Sequence, residues 1–222
     1  MSSDLRTGFV PSEHGFAFPN RWEDRITRIT VAGRPFEIAL SGRCGGMVFA
    51  ALDYHHMGIR ARELAGRELP PRDSTLARYI MRRQLESLGG ALGANIRRFV
   101  VWTLSPTGSR WGTVAYSRRS EAGKVLVAMV ARNPVPLGLL TVDRLGGVGL
   151  NHQVLAYAAD SDDERLQVHV YDPNHPLRDD VTVVVPWSGD EPFVQYAGGT
   201  PRKRWRGLFV ERYTRRVPPG VT

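Results

Sequence analysis

The chain has one cysteine, two lysines and no apolar run long enough to cross a membrane, and each scarcity excludes something. Cys44 alone can neither close an intrachain disulfide nor supply the paired thiolates of cysteine-rich zinc sites. Without about 18 or more consecutive apolar residues, no transmembrane segment is expected. Residues 1–30 lack the apolar stretch, between a basic start and a small-residue cleavage site, of a secretory signal, so the expectation is a soluble cytoplasmic protein. The scarcity of lysine colours the charge balance. There are 30 basic against 22 acidic residues, a net charge of +8, yet all the basic residues except Lys124 and Lys203 are arginines scattered from Arg6 to Arg216. Dispersed arginine, without any zinc-finger, RRM or P-loop pattern, leaves no nucleic-acid partner expected. The one dense patch, Arg202-Lys203-Arg204-Trp205-Arg206, reads as a solvated basic loop before a strand.

What is present is the composition of an ordinary globular protein: 222 residues, 42% hydrophobic and 23% charged. No repeat or long linker divides it. One domain over 1–222 is expected, with 1–20 and 216–222 extended or frayed. Gly45 to Met57 is apolar on nearly every side at its start, as in a core helix. A second helix is expected over Ser74–Leu88, capped by Asp73 or Ser74 and ended by Gly89-Gly90. A third runs from Ser120 to Arg132 and stops before Pro134 and Pro136. Short segments rich in β-branched and aromatic residues then follow at Leu137–Val142, Gln153–Ala159, Leu166–Tyr171, Val181–Val185 and Leu208–Tyr213. Helices first and strands afterwards predict an α+β fold.

Cys44 lies in Ser41-Gly42-Arg43-Cys44-Gly45-Gly46, directly ahead of the core helix. A thiol at a helix N-terminus faces unpaired N–H groups and the positive end of the dipole, which favour a thiolate. Glycines at 45 and 46 would let a substrate carbonyl approach the backbone. Downstream, Asn151 to Tyr157 and Val168 to Asn174 flank the polar cluster Ser161-Asp162-Asp163-Glu164. A hairpin centred on Asp162 pairs Ala158 with Leu166, Ala156 with Val168, Val154 with Val170 and His152 with Asp172. The first three pairs are apolar and share a face; the last stands at its open end. Directly opposed Cβ atoms are about 4.5–5.5 Å apart, so the carboxylate could orient the imidazole. Cys44 as nucleophile, His152 as base and Asp172 as its partner make one catalytic device.

These segments, Gly42-Arg43-Cys44-Gly45-Gly46, Asn151 to Tyr157 and Val170-Tyr171-Asp172-Pro173-Asn174, resemble in order and content the papain-like cysteine peptidases. The likeness is to the bacterial branch that includes the bacteriocin-leader (double-glycine) processing peptidases and uncharacterised relatives. It spans Ser41 to Asn174. The resemblance implies a papain-like fold, in which an N-terminal helical half carrying the cysteine on a buried helix packs against a C-terminal antiparallel sheet. It implies Cys44, His152 and Asp172 as the catalytic residues, a protein or peptide substrate, and no metal or other cofactor. One departure stands out. The family usually places Gln or Asn a few residues before the cysteine to donate into the oxyanion hole, whereas Ile38 stands six before Cys44 and neither amide occurs between Arg21 and Cys44. Asn20 is the candidate donor instead. Two other readings stand beside it: an acyltransferase or transglutaminase-like enzyme with the same three residues, and a non-catalytic papain-like binding module that uses the basic patch at 202–206 against an acidic partner, which Ile38 favours. His175 is a rival base, His169 is expected in solvent, and Asp53 with His55 and His56 reads as a polar helix end rather than a metal site. Trp102, Trp111, Trp187 and Trp205 are expected in packing.

Overall fold

The computed structural model describes residues 5–31, 34–40, 42–89, 94–105, 112–141 and 151–220. In chain order the elements are β1 (Leu5–Arg6), α1 (Pro11–His14), β2 (Asp24–Val31), β3 (Arg34–Leu40), α2 (Cys44–His56), α3 (Thr75–Ser87), α4 (Ala94–Leu104), α5 (Thr113–Tyr116) and α6 (Ala122–Val130). The strands β4 (Val135–Thr141), β5 (His152–Ser161), β6 (Arg165–Tyr171), β7 (Val181–Pro186), β8 (Phe193–Ala197) and β9 (Thr200–Val210) follow. Each of these last six pairs antiparallel with two of the others, and β9 returns to β4, so they close into a six-stranded barrel. β1 extends the sheet beside β5, with Leu5 opposite Ala159, and β2 pairs with β3 as a separate ribbon.

The barrel overturns the expected α+β, papain-like arrangement of a helical half against a sheet. The physical reason is β8. Five strands read from the sequence form an open sheet with two edges; Phe193–Ala197 bridges β7 to β9 and removes them. Its residues alternate between buried and half-buried, but Gln195 occupies a buried position and breaks the apolar alternation that marks a strand. Strand β9 also begins at Thr200, eight residues before the expected start at Leu208. Inside the barrel, Leu139, Val154, Val168, Val183, Phe193 and Leu208 pack together, joined by Val125 and Met129 of α6.

Helix α2 is buried from Gly45 to Tyr54, as its composition implies. It lies between the outer wall of the barrel (Leu155, Tyr157, Tyr171), Ile80 of α3, and a wrap of N-terminal aromatics, Phe9, Phe16, Phe18 and Trp22. That wrap is part of the core rather than a frayed end. With the barrel interior on one side and α2 on the other, β5 is buried over eight consecutive residues, His152 to Ala159. Ser74 caps α3, its Oγ accepting the Ala77 N–H at 3.1 Å. The third expected helix is α6, and it is preceded by α5 and a π-helical turn, Ser117–Glu121, that the expectation did not include. Among the described residues no helix is long and apolar enough to cross a membrane. Gly90, Trp111 and Val142, expected at a helix end, in packing and at a strand end, lie outside the described residues.

Candidate active site

His152 opens β5 and Asp172 follows the last residue of β6. Their hairpin turns later than expected, because the Asp162 carboxylate accepts the N–H groups of Glu164 and Arg165, both at 2.8 Å, and so begins the turn instead of centring it. Leu155 therefore faces Tyr171 and Ala156 faces Val170; a bulge follows, after which Ala158 faces His169 and Ala159 faces Val168. At the open end the register moves by two residues, and a shift of two keeps every side chain on its face. His152 and Asp172 are accordingly diagonal rather than opposed, and still meet: Nε2 and Oδ1 are 2.7 Å apart, with both side chains buried. Beyond the bulge the faces exchange, so Ala159 enters the barrel core while Ala158 packs against α2.

Asp172 is held from three sides. Its Oδ1 also accepts the Asn174 N–H at 2.8 Å, and its Oδ2 accepts from Gln195 Nε2 at 2.5 Å. Trp205 Nε1–H in turn donates to Gln195 Oε1 at 2.9 Å, and the indole lies nearly parallel to the His152 ring, 13° between planes and 6.1 Å between centroids. Burial alone would keep His152 neutral, but the Asp172 carboxylate, its hydrogen bond and the neighbouring Cys44 outweigh it and push the imidazole well above its ordinary range. Burial likewise pushes Asp172 up, and the His152 charge and hydrogen bond with the Asn174 N–H pull it well below the usual carboxylate range. With Nε2 on Asp172, Nδ1 is the ring nitrogen left over, and Cys44 lines the same cleft as the imidazole. The chain matches no protein-family model, no curated protein and no solved structure. What the site can do rests on its own geometry. A thiol beside an imidazole braced by a buried carboxylate can lose its proton in place, and the imidazolium can return that proton to a leaving group.

Cys44 is the first residue of α2 and is partly exposed, at a cleft of about 330 Å³ that His152, Asp172 and Asn20 also line. Asn20 arrives by a backbone hydrogen bond from its N–H to Pro173 O at 2.9 Å; its Oδ1 accepts the Arg43 N–H at 2.6 Å, and its Nδ2, beside residue 42, donates to Asn174 Oδ1 at 3.4 Å. The Gly-Gly pair plays a different part from the one expected. A Cβ at Gly45 would meet Gln153 Oε1 at 2.1 Å and Ser87 Oγ at 2.2 Å, and one at Gly46 would meet Ile80 O at 2.2 Å. The Gly46 N–H already donates to Gln84 Oε1 at 2.8 Å. These glycines admit α3 and β5, not a substrate.

Gln153 has no role in the sequence reading. It points away from His152, donating from Nε2 to both oxygens of the buried Glu211 at 2.7 and 2.8 Å. Its Oε1 accepts from Ser87 Oγ at 3.3 Å and lies 4.0 Å from Cys44 Sγ. Gln195 lies on β8, whose pattern carries no strand signal, while Trp205 is packed in the core as expected and also donates to Gln195. His175 lines the cleft, but the carboxylate is on His152. His169 is on the opposite face, as expected, yet only 14% of its side chain is exposed, and Asp160 holds it at 2.6 Å. Asp53 is buried among Tyr79, Tyr213 and Arg83 and accepts hydrogen bonds from all three, a structural clasp between α2, α3 and the C-terminal tail.

Proposed function

We propose that the protein is a cysteine hydrolase that cleaves a peptide or isopeptide bond through a thioester on Cys44, with His152 as general base and acid and Asp172 orienting it. The observation that carries the reading is the buried 2.7 Å contact between His152 and Asp172, ending beside a cysteine in an open cleft. In the first half-reaction the Cys44 proton passes to His152, Sγ bonds to the substrate carbonyl carbon, the C–N bond breaks, and His152 gives its proton to the departing amine. In the second, water gives a proton to His152 and its oxygen to the acyl carbon; the C–S bond breaks, the proton on His152 returns to Sγ, and the carboxyl product leaves. The carbonyl oxygen is negative in both tetrahedral intermediates. Asn20 Nδ2 and the Cys44 N–H, in the first turn of α2, are its donors.

p-Nitrophenyl acetate tests this without a natural substrate. The expected result is a burst of nitrophenolate and an acetyl group on Cys44 by intact mass, absent in Cys44→Ala and slowed at least about 100-fold in His152→Ala. Acetylation of Cys44 at the wild-type rate in His152→Ala would overturn the reading. Glycinamide added to the acyl-enzyme separates hydrolysis from transfer to an amine. Asn20→Asp keeps the acceptor for the Arg43 N–H and loses the donor, and its expected cost is ~10²–10³ in acylation rate.

A further inference from the structure

The basic patch that reads as a solvated loop stands at the cleft. Arg202 and Lys203 both line it, and on a regular strand consecutive residues would point to opposite faces. A bulge explains the exception: Gln195 of β8 faces Lys203 and Tyr196 faces Pro201, so Arg202 is the extra residue of β9. Bulges re-aim side chains in this way and recur beside active sites. Lys203 Nζ sits 4.2 Å above the centre of the Trp205 ring, the indole that stacks on His152, which sets the ammonium over the same wall of the cleft as the imidazole. Asp172 is the one acidic side chain among the described residues that line the cleft, and both its oxygens are occupied, by His152, the Asn174 N–H and Gln195. The Asp172 charge is matched by the His152 imidazolium it holds, so Arg202 and Lys203 leave the described lining with a positive balance.

Resting on the hydrolase reading above, we infer that the substrate carries a carboxylate close to the acyl group attacked by Cys44, and that Arg202 and Lys203 bind it. An acidic side chain, Asp or Glu, and a free peptide C-terminus present the same group. Two cations displayed from a bulge fit an anion, and a cleft with low-dielectric walls concentrates such a ligand by a factor of about 10–10³.

Iodoacetate and iodoacetamide are a charged and a neutral probe of nearly equal size. The measured quantity is the ratio of their alkylation rates at Cys44, by intact mass, divided by the same ratio for free cysteine. In the wild type it is expected to exceed one by about tenfold and to fall with added salt. In Arg202→Gln/Lys203→Gln it returns to about one, whereas Arg67→Gln/Arg97→Gln, which removes as much charge from exposed positions outside the cleft, leaves it high. A wild-type ratio of one, or equal ratios in the two double variants, overturns the inference. The two failures are separable, because a Cys44 that iodoacetamide modifies equally fast with and without His152 counts against the hydrolase and not against the anion site. Protection of Cys44 by acetyl-Ala-Ala-Glu-amide, or by acetyl-Ala-Ala-Ala with a free carboxylate, then identifies the source. If neither protects better than acetyl-Ala-Ala-Gln-amide, the inference fails.

Discussion

His152 and Gln153 are neighbours on β5, point to opposite faces, and each ends on a buried carboxylate. The two carboxylates behave in opposite ways. Asp172 shares one oxygen between His152 and a backbone N–H, and its other oxygen takes the Gln195 amide, so it is held ionised. Glu211 receives a single neutral amide on both oxygens, with Arg98 as the nearby charge; burial dominates and pushes it up to about 8. Burial is common to both, and the partner decides which protonation state survives. One side of Cys44 is thus a fixed ion pair and the other a group that is neutral below about pH 8.

Making the charged side resemble the neutral one is the most damaging change. Asp172→Asn keeps the shape and removes the charge, and the expected loss is about 10⁴-fold in Cys44 acetylation. A loss below tenfold would show that His152 works without its partner. Glu211→Gln makes the neutral side permanently neutral. Between about pH 4.5 and 8 the folded chain keeps a proton on Glu211 that the unfolded chain has released, so wild-type stability falls as pH rises across that interval. The variant lacks the fall, and at pH 8 it should be more stable in urea by about 1–3 kcal/mol, the difference vanishing near pH 4. The Asp172–His152 pair sets its own window. The raised imidazole stabilises fully below its ordinary value of 6.5 and less as pH climbs above it, and the lowered carboxyl stabilises fully above 3.8 and less in acid. The pair by itself contributes most between about pH 4 and 6.5, and with the Glu211 fall added the maximum moves to the acid end of that window, near pH 4 to 4.5. The smallest effect sharpens the contrast: Trp205→Phe keeps the ring over His152 and removes the N–H that orients Gln195, costing about 1 kcal/mol and lowering acetylation only modestly.

The chemistry-bearing residues were legible because each stands beside a strong local signal. Cys44 precedes an all-round apolar helix, and His152 and Asp172 flank a hairpin whose apolar alternation survives a wrong turn centre, since an error of two residues preserves the face. The bulge after Ala156 was not legible, because alanines at 156, 158 and 159 suit either side of the wall. Barrel closure was hidden for a related reason. Its deciding strand carries Gln195, whose polarity suits Asp172 beyond β6 and Trp205 on the adjacent β9 and contradicts the local pattern. The functions of Gly45 and Gly46 were misread since a glycine reports that space is needed and not what fills it.

The ribbon of β2 and β3 occupies the chain between Asn20 and Arg43, and its two feet are already joined. The Arg43 N–H is 2.6 Å from Asn20 Oδ1, and the Arg43 guanidinium lies 4.0 Å above the Trp22 ring. The chain is thus closed on itself at one staple on either side of the ribbon, and the entropy of such a closure varies only slowly with the length between. The residue that precedes the nucleophile candidate Cys44 is thereby tied to Asn20 and Trp22 ahead of the ribbon, so the two ends of the ribbon hold one wall of the cleft at a fixed spacing.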